Sequence, residues 1–68
     1  MEKFPEILKE LREEKNLSQK GLAGKLGFKN QTVIANWETG SRMPDIINLI
    51  KLAKFFNVTI DYLVGLEK

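Results

Sequence analysis

The sequence predicts an all-α fold of five short helices, and three observations carry that reading. Apolar residues recur at spacings of three and four along most of the chain, and no run alternates cleanly enough to form a strand. Residues that start helices (Ser18, Asn30, Asp45, Thr59) and residues that stop them (Asn16, Gly27, Gly40, Asn57, Gly65) punctuate the apolar stretches. Residues 17–27, followed ten residues after Gly27 by Trp37-Glu38-Thr39-Gly40, read as two short helices joined by a tight turn.

The first helix is expected over 5–15. Proline is favoured at the first helical position, because the N–H it lacks has no partner there anyway. Phe4, Ile7, Leu8 and Leu11 form its apolar stripe, and Asn16 is a left-handed stop. The second helix starts after Ser18, whose hydroxyl can accept a hydrogen bond from the first turn, and ends near Leu26. Leu22, Ala23 and Leu26 share a face, with small Ala23 where two helices approach closely. Gly27 supplies the backbone freedom of a sharp exit. Gly21 and Gly24 are unusual inside a helix, since each costs ~1 kcal/mol relative to alanine. They imply either a soft helix or a contact that needs bare backbone.

The third helix is expected over 31–39, capped by Asn30, closed by Gly40 and buried through Ile34 and Trp37. After a Ser-Arg-Met-Pro loop, Asp45 caps a fourth helix over 46–56. Its inward residues are Ile46, Leu49, Leu52, Ala53 and Phe56, and Asn57 is its stop. Thr59 caps a fifth helix over 60–64, ended by Gly65.

Length and composition bound the function. The chain of 68 residues has room for one domain, 1–68, with one small core and little stability to spare. There is no cysteine, which removes disulfides and thiolate metal sites, and no histidine, the commonest general base and metal ligand. No catalytic residues, metal, cofactor or small-molecule ligand are therefore expected, and the chain is not read as an enzyme. No apolar run approaches a membrane span and no secretory signal opens the chain, so no membrane partner and a cytoplasmic location are expected. The net charge of +2 permits nucleic-acid binding without demanding it. Its distribution says more. Acidic residues crowd the first helix, whereas 20–42 holds four basic residues and one acid, Glu38.

The stretches LSQKGLAGKLG, NWETG, MPDIINLIKLAKFFNV and TIDYLVG resemble the Cro/CI-type helix-turn-helix repressors, the XRE family. The resemblance runs from about Ile7 to Gly65. It implies a five-helix, all-α, DNA-binding regulator whose helix-turn-helix lies at helices 2 and 3. The chain departs from the family in one respect: nine residues separate Gly27 from Trp37, one more than relatives place there. Either Val33 is buried and the third helix is out of phase with Trp37, or the extra residue sits in the turn near Phe28-Lys29 and Ile34 is buried. The second register puts Ile34 and Trp37 on one face, leaves Val33 mostly exposed and lands Asn30 at the cap, so it is preferred.

In that register Gln31, Thr32, Ala35 and Asn36 face outward and are the candidate base-reading residues. Gln and Asn amides can bond an adenine edge through two hydrogen bonds, and a Thr methyl can touch the thymine methyl. A solvated helix face is polar in any case, which is the plainer reading. Gln19, Lys20, Lys29 and Arg42 are candidate phosphate partners. For Gln19 a second capping role stands level with that one, and Arg42 is the best placed of the cations. In relatives an arginine at the place of Arg12 pairs with a glutamate directly after the Trp37 position, which implies a structural Arg12–Glu38 ion pair here. Trp37 itself reads as core.

The end of the chain holds more large apolar residues than one small core can take. Ile47, Phe55, Tyr62 and Leu66 are candidates for a dimer interface, against the plainer reading that short helices leave some apolar surface exposed. The expected function is a sequence-specific, double-stranded DNA-binding transcriptional repressor, acting as a homodimer on a palindromic operator. The rival is a protein-interaction module of the same fold, binding a toxin or an anti-repressor, which the altered turn and modest charge favour slightly.

Overall fold

Each helix forms where an apolar stripe meets residues that can start and stop it. The computed structural model describes residues 2–67. Its helices are α1 (Phe4–Glu14), α2 (Gln19–Leu26), α3 (Thr32–Thr39), α4 (Ile46–Phe56) and α5 (Ile60–Leu63), and no strand occurs among the described residues. Ser18 Oγ accepts from the Gly21 N–H at 2.9 Å, Asp45 Oδ1 from the Asn48 N–H at 2.9 Å and Thr59 Oγ1 from the Tyr62 N–H at 3.0 Å. Each bond satisfies an N–H that the helix itself leaves without a partner. Helix α1 lacks such a cap and carries Pro5 in its first turn instead.

The exits use left-handed backbone. Gly27 has φ 86°, and the bonds Phe28 N–H to Ala23 O (2.9 Å) and Gly27 N–H to Gly24 O (3.2 Å) close the last turn of α2. Asn57, at φ 56°, ends α4 by the same pair of bonds, Val58 N–H to Ala53 O and Asn57 N–H to Lys54 O. Asparagine tolerates this region better than most side chains do.

The stripes meet in one core: Phe4, Leu8 and Leu11 of α1, Leu22, Ala23 and Leu26 of α2, Ile34 and Trp37 of α3, Leu49, Leu52 and Phe56 of α4, and Leu63 of α5. Helix α3 packs on α1 and α2, and α5 packs on α4 and α1. Truncating one of the fully buried leucines to alanine costs about 2–5 kcal/mol, comparable to the whole stability of a domain this small.

Several expectations need correction. Ile46 was expected to face inward, yet it is 61% exposed. At about 100° per residue it lies roughly 90° from the line through Leu49, Leu52 and Phe56, so the first turn of α4 carries it off the core. Val33 is half-buried rather than mostly exposed, because it packs on the rim of the core beside Ile34. Helix α3 starts at Thr32, not Gln31. Gln31 occupies the cap position with helical backbone (φ −81°, ψ −6°) and makes no capping bond. Asn30 lies one residue further out, and its Oδ1 accepts from the Thr32 N–H at 3.0 Å in a turn of its own. Helix α1 begins and ends one residue earlier than expected, and α5 ends one residue earlier, the scale on which helix ends fray.

Candidate nucleic-acid interface

The phase of α3 sets the site. Ile34 and Trp37 are buried, so the helical repeat turns Thr32, Ala35, Asn36 and Thr39 to the opposite side, with Gln31 at its head. Gln31, Thr32 and Thr39 are exposed, while Ala35 and Asn36 are half-buried. Arg42 is exposed just beyond α3, Lys29 in the turn before it and Lys20 on α2.

An aromatic contact anchors the turn between α2 and α3. The Phe28 ring stands edge-to-face on Trp37, with centroids 5.7 Å apart and planes at 84°. Lys51 of α4 then closes the turn from outside. Its Nζ lies 5.3 Å from the Phe28 centroid and donates to Leu26 O at 3.0 Å, a carbonyl at the C-terminal end of α2. Nothing in the sequence signals Lys51 for this part, because it comes from a helix 25 residues further on.

An ion pair holds α3 from behind. Arg12 Nε donates to Glu38 Oε2 at 2.6 Å and Nη2 to Glu38 Oε1 at 3.1 Å, a two-pronged contact that fixes both side chains. The third prong, Nη1, donates to Leu17 O at 2.7 Å. The pair is largely withdrawn from solvent, with side-chain exposures of 11% and 5%. Its hydrogen bond to Glu38 raises the Arg12 pKa above the ordinary arginine value, against a smaller opposing effect of burial. Gln19 belongs to the same cluster, since its Nε2 donates to Glu38 Oε1 at 3.2 Å. That bond uses one of the two amide hydrogens and ties the first residue of α2 to α3. The Gln19–Glu38 contact has no signature in the sequence, because it needs α2 and α3 already crossed.

The residues considered for a dimer interface lie in unlike surroundings. Ile47 and Leu66 are 67% and 76% exposed, and Tyr62 is exposed too. Phe55 is half-buried, edge-to-face on Phe56 at 5.0 Å, with Lys15 Nζ 5.7 Å from its centroid. Ile47 lies with exposed Ile46 and Ile50 on the outer side of α4, just after exposed Met43.

Two short helices joined by a glycine-closed turn, the second buried on one side and polar on the other, define a helix-turn-helix domain. The chain belongs to the helix-turn-helix family, whose family model matches residues 8–63, and its five helices have the Cro/CI-type arrangement. It is 43% identical over 65 residues to the HTH-type transcriptional activator BcrR of Enterococcus faecalis, covering 96% of this chain and 31% of that protein. It is 41% identical over 61 residues to YqaE of Bacillus subtilis (strain 168), an uncharacterized HTH-type transcriptional regulator, covering 90% of this chain and 52% of that one. Over 61 residues it is 39% identical to the HTH-type transcriptional regulator ImmR of the same organism, covering 90% and 47%. The chain thus spans about a third to a half of the length of these relatives. No solved structure matches it significantly. No helix among the described residues is long and apolar enough to cross a membrane.

Proposed function

We propose that this domain binds duplex DNA sequence-specifically and regulates transcription, as a homodimeric repressor on a near-palindromic operator. The observation that carries the reading is the outward side of α3. Gln31, Thr32, Ala35 and Asn36 stand there on a helix held by the core, the Arg12–Glu38 pair and the Phe28–Trp37 anchor. A reading helix needs such a frame, because base-edge hydrogen bonds tolerate little misplacement. Lys20, Lys29 and Arg42 are exposed around it and supply phosphate contacts that set register without reading sequence. The second amide hydrogen of Gln19 is available for the same purpose.

The names of the relatives support regulation of transcription. Repression requires only that the operator be occupied. Activation, stated in the name of BcrR, needs a further surface for the transcription machinery. The exposed apolar side chains Ile47, Tyr62 and Leu66 support pairing of two copies.

Selection of bound sites from a random duplex library, followed by titration across salt concentrations, tests the proposal. The expected result is a preferred near-palindrome with half-sites about 10 bp apart, and an affinity that falls with a log–log slope of about 0.9 per phosphate contact. Equal binding to every duplex, or none at low salt, overturns it.

A further inference from the structure

The C-terminal end of α3 carries a cluster of side-chain oxygens centred on Asn36. Thr39 Oγ1 lies 3.2 Å from Asn36 O and accepts from the Ser41 N–H at 3.4 Å. Ser41 Oγ lies 3.2 Å from Asn36 Oδ1, 3.4 Å from Asn36 O and 3.1 Å from Thr39 Oγ1. Asn36 O also accepts the Arg42 N–H at 3.3 Å. Each hydroxyl has a single hydrogen to give. The Thr39 hydroxyl faces the carbonyl of its own preceding turn, a common partner for threonine in a helix. Thr39 Oγ1 is occupied by the Ser41 N–H. Asn36 O already takes the Thr39 hydroxyl and the Arg42 N–H, so Asn36 Oδ1 is the acceptor here without another donor, and the Ser41 hydrogen goes to it.

We infer that Ser41 sets which base Asn36 reads, by holding Oδ1 toward the loop so that the Nδ2 amide faces the DNA. The inference rests on the proposal that α3 reads bases, and it changes what Asn36 recognises. An unrestrained asparagine suits adenine, donating to N7 while accepting from the N6 amino group. Asn36 with Oδ1 turned back offers donors only. Guanine presents two acceptors side by side, N7 and O6, and fits that group. Adenine places a donor where Oδ1 is needed. Ser41 acts here as a positioning residue, on an exposed loop where its side chain supports no part of the core.

The experiment is site selection with the unaltered chain and with Asn36→Ala, Ser41→Ala and Ser41→Thr. The base pair whose preference flattens in Asn36→Ala is the one that Asn36 faces. At that pair the unaltered chain should favour guanine over adenine, and Ser41→Ala should shift the ratio toward adenine by about tenfold. Ser41→Thr keeps the hydroxyl and should match the unaltered chain. A Ser41→Ala profile identical to the unaltered one, or an adenine preference already present without the change, overturns the inference and leaves DNA reading by α3 standing. Flattening at no position in Asn36→Ala overturns it as well. If the unaltered chain selects no sequence, the proposed function itself falls.

Discussion

Glu38 is where one residue affects most of the site. It faces the Arg12 guanidinium from α1 and the Gln19 amide from α2, and among the described residues no buried side-chain polar atom lacks a partner. Removing one member of a buried pair strands the other charge. Arg12→Ala or Glu38→Ala should therefore destabilise the domain by about 3 kcal/mol, more than the intact pair contributes over an apolar replacement. Urea unfolding followed by Trp37 fluorescence measures this, and a change below about 1 kcal/mol would refute it. The Arg12 pKa is raised in the folded state, so its contribution is fully present below the ordinary arginine value. It is lost only as the pH rises through the folded value, and arginine titration should leave stability flat across neutral pH. On the DNA side the roles separate by chemistry. Gln31→Ala should alter which operator variants are preferred. Arg42→Ala should weaken binding to all duplexes alike and lower the salt slope by about one phosphate contact. Competition binding at two salt concentrations distinguishes the two patterns.

At the scale of elements, α2 is the helix with latent stability. A methyl group at Gly24 meets nothing within 4 Å, whereas one at Gly21 comes 3.2 Å from Ser18 Oγ and 3.5 Å from Leu17 Cδ2. Ser18 Oγ is already held by the Gly21 N–H at 2.9 Å, so it has little room to yield. Gly24→Ala should raise stability by about 0.5–1 kcal/mol, and Gly21→Ala should give distinctly less. Chemical denaturation of the two variants side by side decides it, and equal gains would show that the Ser18 cap adjusts freely. The sequence alone treated these glycines alike. Their difference appears only once the cap is seen standing over one of them.

At the scale of the whole molecule, several large apolar side chains stand in solvent among the described residues. Ile47, Tyr62 and Leu66 are exposed, as are Met43, Ile46 and Ile50. A two-fold dimer requires one self-complementary patch, and it multiplies the weak grip of a single reading helix on a half-site. Sedimentation with a selected operator should show two protomers per site. Because their side chains lie outside the core, Tyr62→Asp and Leu66→Asp should lower that stoichiometry toward one without unfolding the chain. A single protomer on an asymmetric site in the unaltered protein would exclude the dimer.

The five helices were legible in the sequence because their determinants are local. Ser18, Asp45 and Thr59 bond N–H groups three residues on, and Gly27, Gly40 and Asn57 adopt the left-handed backbone that ends a helix. The register of α3 was legible for the same reason, since Ile34 and Trp37 must share a face whatever surrounds them. What tertiary structure decided lies in contacts between segments far apart in the chain. Lys51 reaches back across 25 residues to the turn, Gln19 meets Glu38 across 19, and Ile46 has the same apolar side chain as residues inside yet stands in solvent. Periodicity gives the direction in which a side chain leaves its helix. Whether another element waits there depends on how the helices cross, and that is settled by packing of the whole core.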